Sequence, residues 1–295
     1  MPSNRIRDTL LRTGAIREDR LEVLATRTRD VDPLTVHRDR VSGVIFIDGH
    51  YAGDAEYRSG AYRDRAEPTG ATPPPSLEDI ADTERRLADH RAFITGRDIC
   101  DFGCGAGSFL KEAAPLAGSA CGIELQDDRR VALNASRIAC HESLDDAPGS
   151  FDTVFLFHVL EHLPDPATTL AEIRDCLKPD GKGRIVVEVP HARDMLIEPL
   201  GSRAFLAFTL WSQHLVLHTR ESLRLFLADA GFRDIQIAGV QRYGLANHLT
   251  WLSRGEPGGH RTTLAAFETP ALGEAYADAL ARIDATDTLV AIAST

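Results

Sequence analysis

The sequence predicts an α/β fold, a doubly wound seven-stranded sheet carrying an N-terminal extension and a C-terminal insertion. Three observations predict it. From residue 98 onward, short apolar runs alternate with helix-length amphipathic segments, as a parallel sheet with crossover helices requires. The run FDTVFLFHVL is apolar enough for a strand buried on both faces. The stretch CDFGCGAG, residues 100–107, sets Gly103, Gly105 and Gly107 between a strand and a helix, where such sheets hold ligands.

The elements follow in order. Residues 1–75 form an Arg-rich extension or lid that ends in EPTGATPPP, a linker by composition. Within it SGVIFIDGHY reads as a strand, and Tyr51, Tyr57 and Tyr62 follow. Ser76 caps a helix in SLEDIADTERRLADHRAFI, with Asp79 at its third position. Leu77, Ile80, Leu87 and Ile94 give that segment an apolar stripe. DICDF is the first strand of the alternation, and GSFLKEAAPLA the helix after the glycines. SACGIEL, RIAC, FDTVFLFHVL and RIVVEV are the next four strands. DDRRVALNA is a helix, and Asp165 caps another with Pro166 in its first turn. Leu170, Ile173 and Leu177 point inward from it, and KPDGKG is a turn. SRAFLAFTLWSQHLVLH reads as an apolar helix. Thr219 caps RESLRLFLADA, whose Leu223, Phe226, Leu227 and Ala230 form one face and which Gly231 ends. FRDIQIAGV is a sixth strand and DTLVAIA a seventh. Residues 76–239 are thus expected to be the core, and 240–295 an insertion with the closing strand.

The totals exclude several classes. A chain of 295 residues, 43% hydrophobic, buries a large core without disulfide staples. Its five cysteines show no paired CxxC spacing, which points to reduced thiols in the cytoplasm and to no metal site. A net charge of -11 argues against nucleic acid as the main partner. No apolar run is long enough to span a bilayer, and the start has no signal-peptide pattern. The expected partners are a small-molecule acceptor and, at most, a second copy of the chain.

Three ligands suit a glycine loop. A P-loop needs Lys followed by Ser or Thr after its second glycine, yet here Gly107 precedes Ser108 and Phe109. A dinucleotide loop needs G-x-G-x-x-G or A, and the third position is Ser108. Asp101 is moreover a poor neighbour for a pyrophosphate. S-adenosylmethionine (SAM) has an ammonium group and a sulfonium but no phosphate. Asp101 can face that ammonium, directly or through water. Gly103 and Gly105 let backbone approach the ligand without a Cβ clash. Glu124 ends the second strand about 20 residues further on, where a carboxylate accepts from both ribose hydroxyls.

CDFGCGAGSFL, GIEL, FDTVFLFHVLEHLPDP and LKPDGKGRIVVEVP resemble, in order, the successive motifs of class I SAM-dependent methyltransferases. The resemblance implies a Rossmann-like methyltransferase fold whose last strand runs antiparallel. It implies that Ser143 or Leu144 reaches the adenine and that Phe157 and His158 lie beside the methionine part. LHTRESLRLFLADAGF is similar to a segment of methyltransferases acting on small molecules and sugars. Some sugar methyltransferases of bacterial biosynthetic clusters carry an N-terminal zinc element. No Cys precedes Cys100, so that element does not carry over. The expected function is SAM-dependent methyl transfer to a sugar, a sugar nucleotide or a related biosynthetic intermediate. The alternatives are a non-catalytic SAM-binding regulatory module and, less favoured, an NAD-dependent oxidoreductase.

An oxygen acceptor calls for a base near the C-terminal strand ends. His191, after the fifth strand, and His214, in an apolar segment beside Trp211, are the two candidates. His162 reads as a local helix-start contact, and His218 as part of the start of the Thr219 helix. Arg242, Tyr243, Asn247, His248, Trp251 and His260 cluster in the insertion, where acceptors tend to bind.

Overall fold

A computed structural model describes residues 4–60, 76–147, 149–179 and 181–295. The expected linker EPTGATPPP, together with Tyr62, lies outside the described residues. The N-terminal part begins with α1 (Ile6–Arg12), followed by β1 (Leu21–Ala25), β2 (Val36–Asp39), β3 (Ile45–Ile47) and the short α2 (Asp54–Ser59). Next come α3 (Leu77–Asp89) and α4 (Arg91–Ile94). The alternating region contains β4 (Asp98–Phe102), α5 (Ser108–Ala113), β5 (Ser119–Ile123), α6 (Asp127–Ala135), β6 (Ala139–His141), β7 (Thr153–Phe157), α7 (Pro166–Asp175) and β8 (Arg184–Pro190). It continues through α8 (Arg203–Thr209), β9 (Val216–Leu217), α9 (Arg220–Asp229), β10 (Arg233–Val240), α10 (Leu245–Arg254), α11 (Pro270–Arg282) and β11 (Thr288–Ser294).

Seven strands form one sheet in the order β10-β11-β8-β7-β4-β5-β6. The five from β8 to β6 run parallel, and β11 is antiparallel to both of its neighbours, as expected. Successive residues face opposite layers. Cys100, Val154, Ile185 and Val187 pack with Leu170 and Ile173 of α7 and with Leu223, Phe226 and Leu227 of α9. Ile99, Phe155 and Val186 face Phe109, Leu110 and Ala113 of α5 on the other side. This two-residue period accounts for the nearly unbroken apolar runs of the central strands. The chain reverses direction across the sheet between β4 and β7, so their C-terminal ends open a crevice at the switch point.

The N-terminal strands make a second sheet, ordered β1-β2-β3-β9. Phe46 pairs with Val216 and Ile45 with Leu217, so a strand from the last third completes it. Ile6, Leu10, Ile16, Val44 and Phe46 join the core on the α7 and α9 face. No helix among the described residues is long and apolar enough to cross a membrane.

Several local expectations match. Ser76 and Asp79 form a capping box at α3, Asp165 caps α7 with Pro166 behind it, and Thr219 caps α9. Two do not. The long helix expected over SRAFLAFTLWSQHLVLH ends at Thr209, because Val216 and Leu217 pair with β3 instead. Nor does the first half of the 77–94 stripe face the core. Leu77 is 74% and Ile80 43% exposed, whereas Asp82 and Thr83 are buried. The polar side of α3 lies over the crevice, so charge pairing orients this helix more than apolar burial does.

Candidate active site

The crevice is a cavity of about 1610 Å³ at the C-terminal ends of β4, β5, β7 and β8. Gly103, Glu124, Ser143, Leu144, Phe157 and His158 line it. Gly103 has φ +76°, and a Cβ there would lie 2.5 Å from Val159 Cγ2. A side chain at this position would close the wall. Glu124 ties the loop together, its Oε2 accepting from the Gly105 N–H at 2.8 Å and its Oε1 from the Gln126 N–H at 2.9 Å. Each oxygen keeps a lone pair for another donor. Gly105 and Asp101 are not among the lining residues. Asp101 lies buried at the end of β4, and burial pushes its carboxyl up to about 7, with Arg86 pulling the other way.

A buried ionic network frames the side of this cavity at the ends of β7 and β8. His158 ends β7 with φ +56°, a left-handed conformation uncommon outside glycine. Its backbone N–H donates to the Glu188 carbonyl at 2.8 Å. Its Nε2 lies 3.2 Å from Glu188 Oε1, and its Nδ1 lies 3.4 Å from Glu161 Oε1. Glu188 of β8 is fully buried, and Arg85 and Arg86 of α3 both pair with it. Burial works against its charge, yet the His158 contact and Arg86 hold it well below the usual carboxylate range. The Arg86 guanidinium also sits 4.3 Å above the Phe157 ring. Arg242 pairs with Asp82 of α3, while the Arg242 and Tyr243 N–H groups donate to Asp287. These contacts join α3 to the insertion across the cavity.

Glu188→Ala is expected to cost about 3–5 kcal/mol of stability, because it leaves buried cationic groups without a counter-charge. Urea unfolding checks this. A loss under about 1 kcal/mol, the value of a surface ion pair, would show that the network is decorative.

Another side of the cavity is aromatic. Trp251 packs against Phe205 and Phe208 with ring centroids 5.2 and 5.1 Å apart. Trp211 and His214 lie 5.2 Å apart, and His162 and His214 5.0 Å apart. Tyr51 and Tyr57 stack at 5.9 Å and line the same cavity. Arg242, Tyr243, Asn247, His248, Trp251 and His260 all line the same cavity, so the insertion cluster is brought together. His248 is committed locally, with Nδ1 2.6 Å from the Tyr276 hydroxyl.

The two candidate bases separate. His191 is 1% exposed and is not among the lining residues. Its Nδ1 lies 2.9 Å from the Thr286 carbonyl oxygen, which holds the ring away from the cavity. It misses the crevice because its backbone turns to pair beside His218. His218 meets Ser222 Oγ at 3.0 Å, at the start of α9 as expected. His214 lines the cavity, and its buried Nδ1 has no hydrogen-bond partner. Burial and the neighbouring His162 push it down to about 3, so it is a neutral imidazole at ordinary pH. The His162 Nδ1 lies 2.8 Å from the Gln213 carbonyl oxygen.

Glu161 completes the group. It is 0% exposed, and neither carboxylate oxygen has a hydrogen-bond partner. Burial opposes its charge, but His158 and then His162 outweigh that and hold it at about 2. Ligand atoms of Glu161, His162 and His214 all lie within 4.8 Å of one another, so the three could also hold a divalent metal ion. Sequence reasoning missed Asp82, Arg86, Glu161 and Glu188. Glu188 carries the clearest signal, a lone carboxylate in an otherwise apolar strand, which must be paired when buried.

A family model described as a methyltransferase domain matches residues 76–237. The ubiquinone biosynthesis O-methyltransferase of Pseudomonas aeruginosa is 30% identical over 117 residues, covering 36% of this chain and 50% of that protein. The enzyme of the same name from Burkholderia pseudomallei is 25% identical over 186 residues, covering 59% of this chain and 80% of that protein. The chain thus spans about half the length of the first of these relatives. A SAM-dependent methyltransferase structure from Archaeoglobus fulgidus superposes with a TM-score of 0.52 at 18% identity, over 80% of this chain and 99% of that one. With the strand order, the antiparallel last strand and the glycine loop, the family match establishes that the chain belongs to the methyltransferase domain family and has the class I SAM-dependent fold.

Proposed function

We propose that the chain transfers the methyl group of SAM to a hydroxyl of a small acceptor held in the aromatic half of the cavity. One observation carries this reading. A neutral His214 whose Nδ1 has no hydrogen-bond partner and a buried Glu161 ion-paired with His158 lie in the same cavity as the glycine loop and Glu124. SAM would lie along Gly103 and Glu124, with its adenine toward Ser143 and Leu144. Its methionine end would lie near Phe157 and His158, with the buried Asp101 acting on the ammonium from beneath the loop, across an intervening water or a short shift of the loop. The acceptor oxygen attacks the sulfonium methyl in line, the carbon–sulfur bond breaks, and the hydroxyl proton passes to His214 Nδ1. Glu161 then stabilises the imidazolium, as a buried carboxylate does for a catalytic histidine. Placing the two substrates in line supplies most of the rest.

We favour a sugar, a sugar nucleotide or a related biosynthetic intermediate as acceptor. Aromatic walls interrupted by Asn247, His260 and Arg254 suit a ring with several polar substituents. The relatives named for ubiquinone biosynthesis are O-methyltransferases, which favours oxygen as the accepting atom. In this reading residues 240–285 supply one acceptor wall, and Tyr51 and Tyr57 cover the opening. A second reading rests on the same Glu161. With His162 and His214 it would hold a divalent metal that lowers the acceptor hydroxyl's pKa.

Calorimetry with SAM, S-adenosylhomocysteine and NAD tests the cofactor, and transfer from labelled SAM to sugar nucleotides and phenolic acceptors tests the reaction. SAM binding with turnover is expected. SAM binding without turnover on any hydroxyl acceptor would favour a regulatory module. Tight NAD binding without SAM binding would overturn the whole reading.

A further inference from the structure

The five cysteines play no part in the chemistry above, yet two of them flank the cofactor loop. Cys104 lies between Gly103 and Gly105, and Cys140 lies on β6, just before the segment that includes Ser143 and Leu144. Their sulfurs are 3.8 Å apart, and both thiols are free. The register explains the approach. Gly122 of β5 is the direct partner of Cys140 in β6. A Cβ on Gly122 would lie 2.5 Å from Cys104 Sγ. The missing side chain is therefore the gap through which Cys104 reaches across β5 toward Cys140. Cys104 is half-buried and Cys140 is 6% exposed, so Cys104 is the more accessible thiol of the pair.

We propose that Cys104 and Cys140 are a reversible disulfide site that switches the SAM loop off under oxidation by a hydroperoxide. One thiolate attacks an oxygen of the hydroperoxide. The O–O bond breaks, a sulfenic acid forms on that cysteine, and water or an alcohol leaves once protonated. The second thiolate attacks the sulfenic sulfur, the S–S bond forms, and the hydroxyl leaves as water. Two thiols are oxidised and one hydroperoxide is reduced. A disulfide needs its sulfurs about 2.05 Å apart, so closing the present gap draws Cys104 toward β6. Gly103 and Gly105 move with it. Gly103 forms the wall against Val159, and the Gly105 N–H holds Glu124. Both contacts belong to the proposed SAM subsite, so the functional half of the inference rests on that reading.

Cys100 and Cys121 form an internal control. They are direct partners across β4 and β5, but they are 0% and 3% exposed inside the core. They are expected to stay reduced in the folded protein.

The experiment treats the reduced full-length protein with hydrogen peroxide and quenches it. Intact mass, peptide mapping and SAM calorimetry follow, before and after dithiothreitol. The expected result is loss of two hydrogen atoms, a Cys104–Cys140 linked peptide, and SAM binding weakened by about tenfold or more. Dithiothreitol should restore the affinity, and Cys140→Ser protein should keep its SAM affinity through the peroxide step. Bound SAM should slow the oxidation. Separate sulfinic acids with no linked peptide would overturn the site, and a linked peptide with unchanged SAM affinity would overturn the switch. If the reduced protein fails to bind SAM at all, the functional reading fails. The mass and mapping data still decide whether the disulfide forms.

Discussion

SAM affinity is expected to be flat above pH 7 and to fall by about tenfold per pH unit below it. In the proposed reading the group responsible is Asp101. It sits at the end of β4, beneath the loop, and burial pushes its carboxyl up to about 7; Arg86 pulls it down and Glu124 pushes it further up. Only the ionised form attracts the ammonium of SAM. The sign follows from linkage. Because the folded pKa lies above the ordinary 3.8, the ligand-free fold binds a proton between about pH 7 and 3.8 that the unfolded chain does not. Asp101 therefore favours the ligand-free fold as the pH drops through that window, while the same proton opposes SAM. Asp101→Asn should bind SAM about tenfold to a hundredfold more weakly at pH 8, the value of a charge-assisted contact. Its affinity should also lose the dependence near pH 7. Calorimetry from pH 5.5 to 8.5 on both proteins decides it. Asp194, also pushed up to about 7 by burial, lies near the cavity and is unchanged in the variant. A slope that survives in Asp101→Asn would shift the assignment away from Asp101.

The parts of this molecule legible in its sequence are those set by local rules. The parallel strands follow from apolar runs of strand length, and the starts of α3, α7 and α9 from Ser76, Asp165 and Thr219. That Gly103 and Glu124 share one cavity was legible because both stand at the C-terminal ends of adjacent parallel strands. Illegible were the features that depend on distant partners. Val216 and Leu217 read as helix until β3 offers them backbone hydrogen bonds some 170 residues away. Leu77 and Ile80 read as a core stripe, but α3 is turned by Arg85 and Arg86 finding Glu188. His191 and His214 both follow strand five in apolar surroundings. Only the fold shows that one ring is bound to Thr286 and the other opens on the cavity. Local sequence carries propensity and caps; it does not carry the partner of a buried charge.

That difference gives His214→Ala a sharp expected outcome: kcat lower by about a hundredfold to ten-thousandfold, the range for losing a general base. SAM affinity should stay near wild type, because the His214 Nδ1 has no protein partner to lose, and the unfolding midpoint should fall only by the lost packing on Trp211 and His162. His191→Ala should show the opposite pattern, lower stability with kcat retained per folded molecule, since it is 1% exposed and packed on Thr286. The pH profile adds a readout that a merely structural role would not move. His214 is held at about 3, so its proton-accepting form is complete throughout pH 5–8, and the wild-type kcat should show no acid limb from it there. Glu161→Gln keeps the shape of the side chain but removes the anion next to the ring. It should lower kcat, because the imidazolium formed on proton transfer then has no counter-charge in a buried site. Dialysis against a chelator separates the base from the metal. A base needs no ion, so the wild-type rate should survive chelation. If chelation abolishes turnover and added zinc or manganese restores it, Glu161, His162 and His214 act as a ligand set. The loss in His214→Ala would then measure metal occupancy, which direct metal analysis of the variant would show.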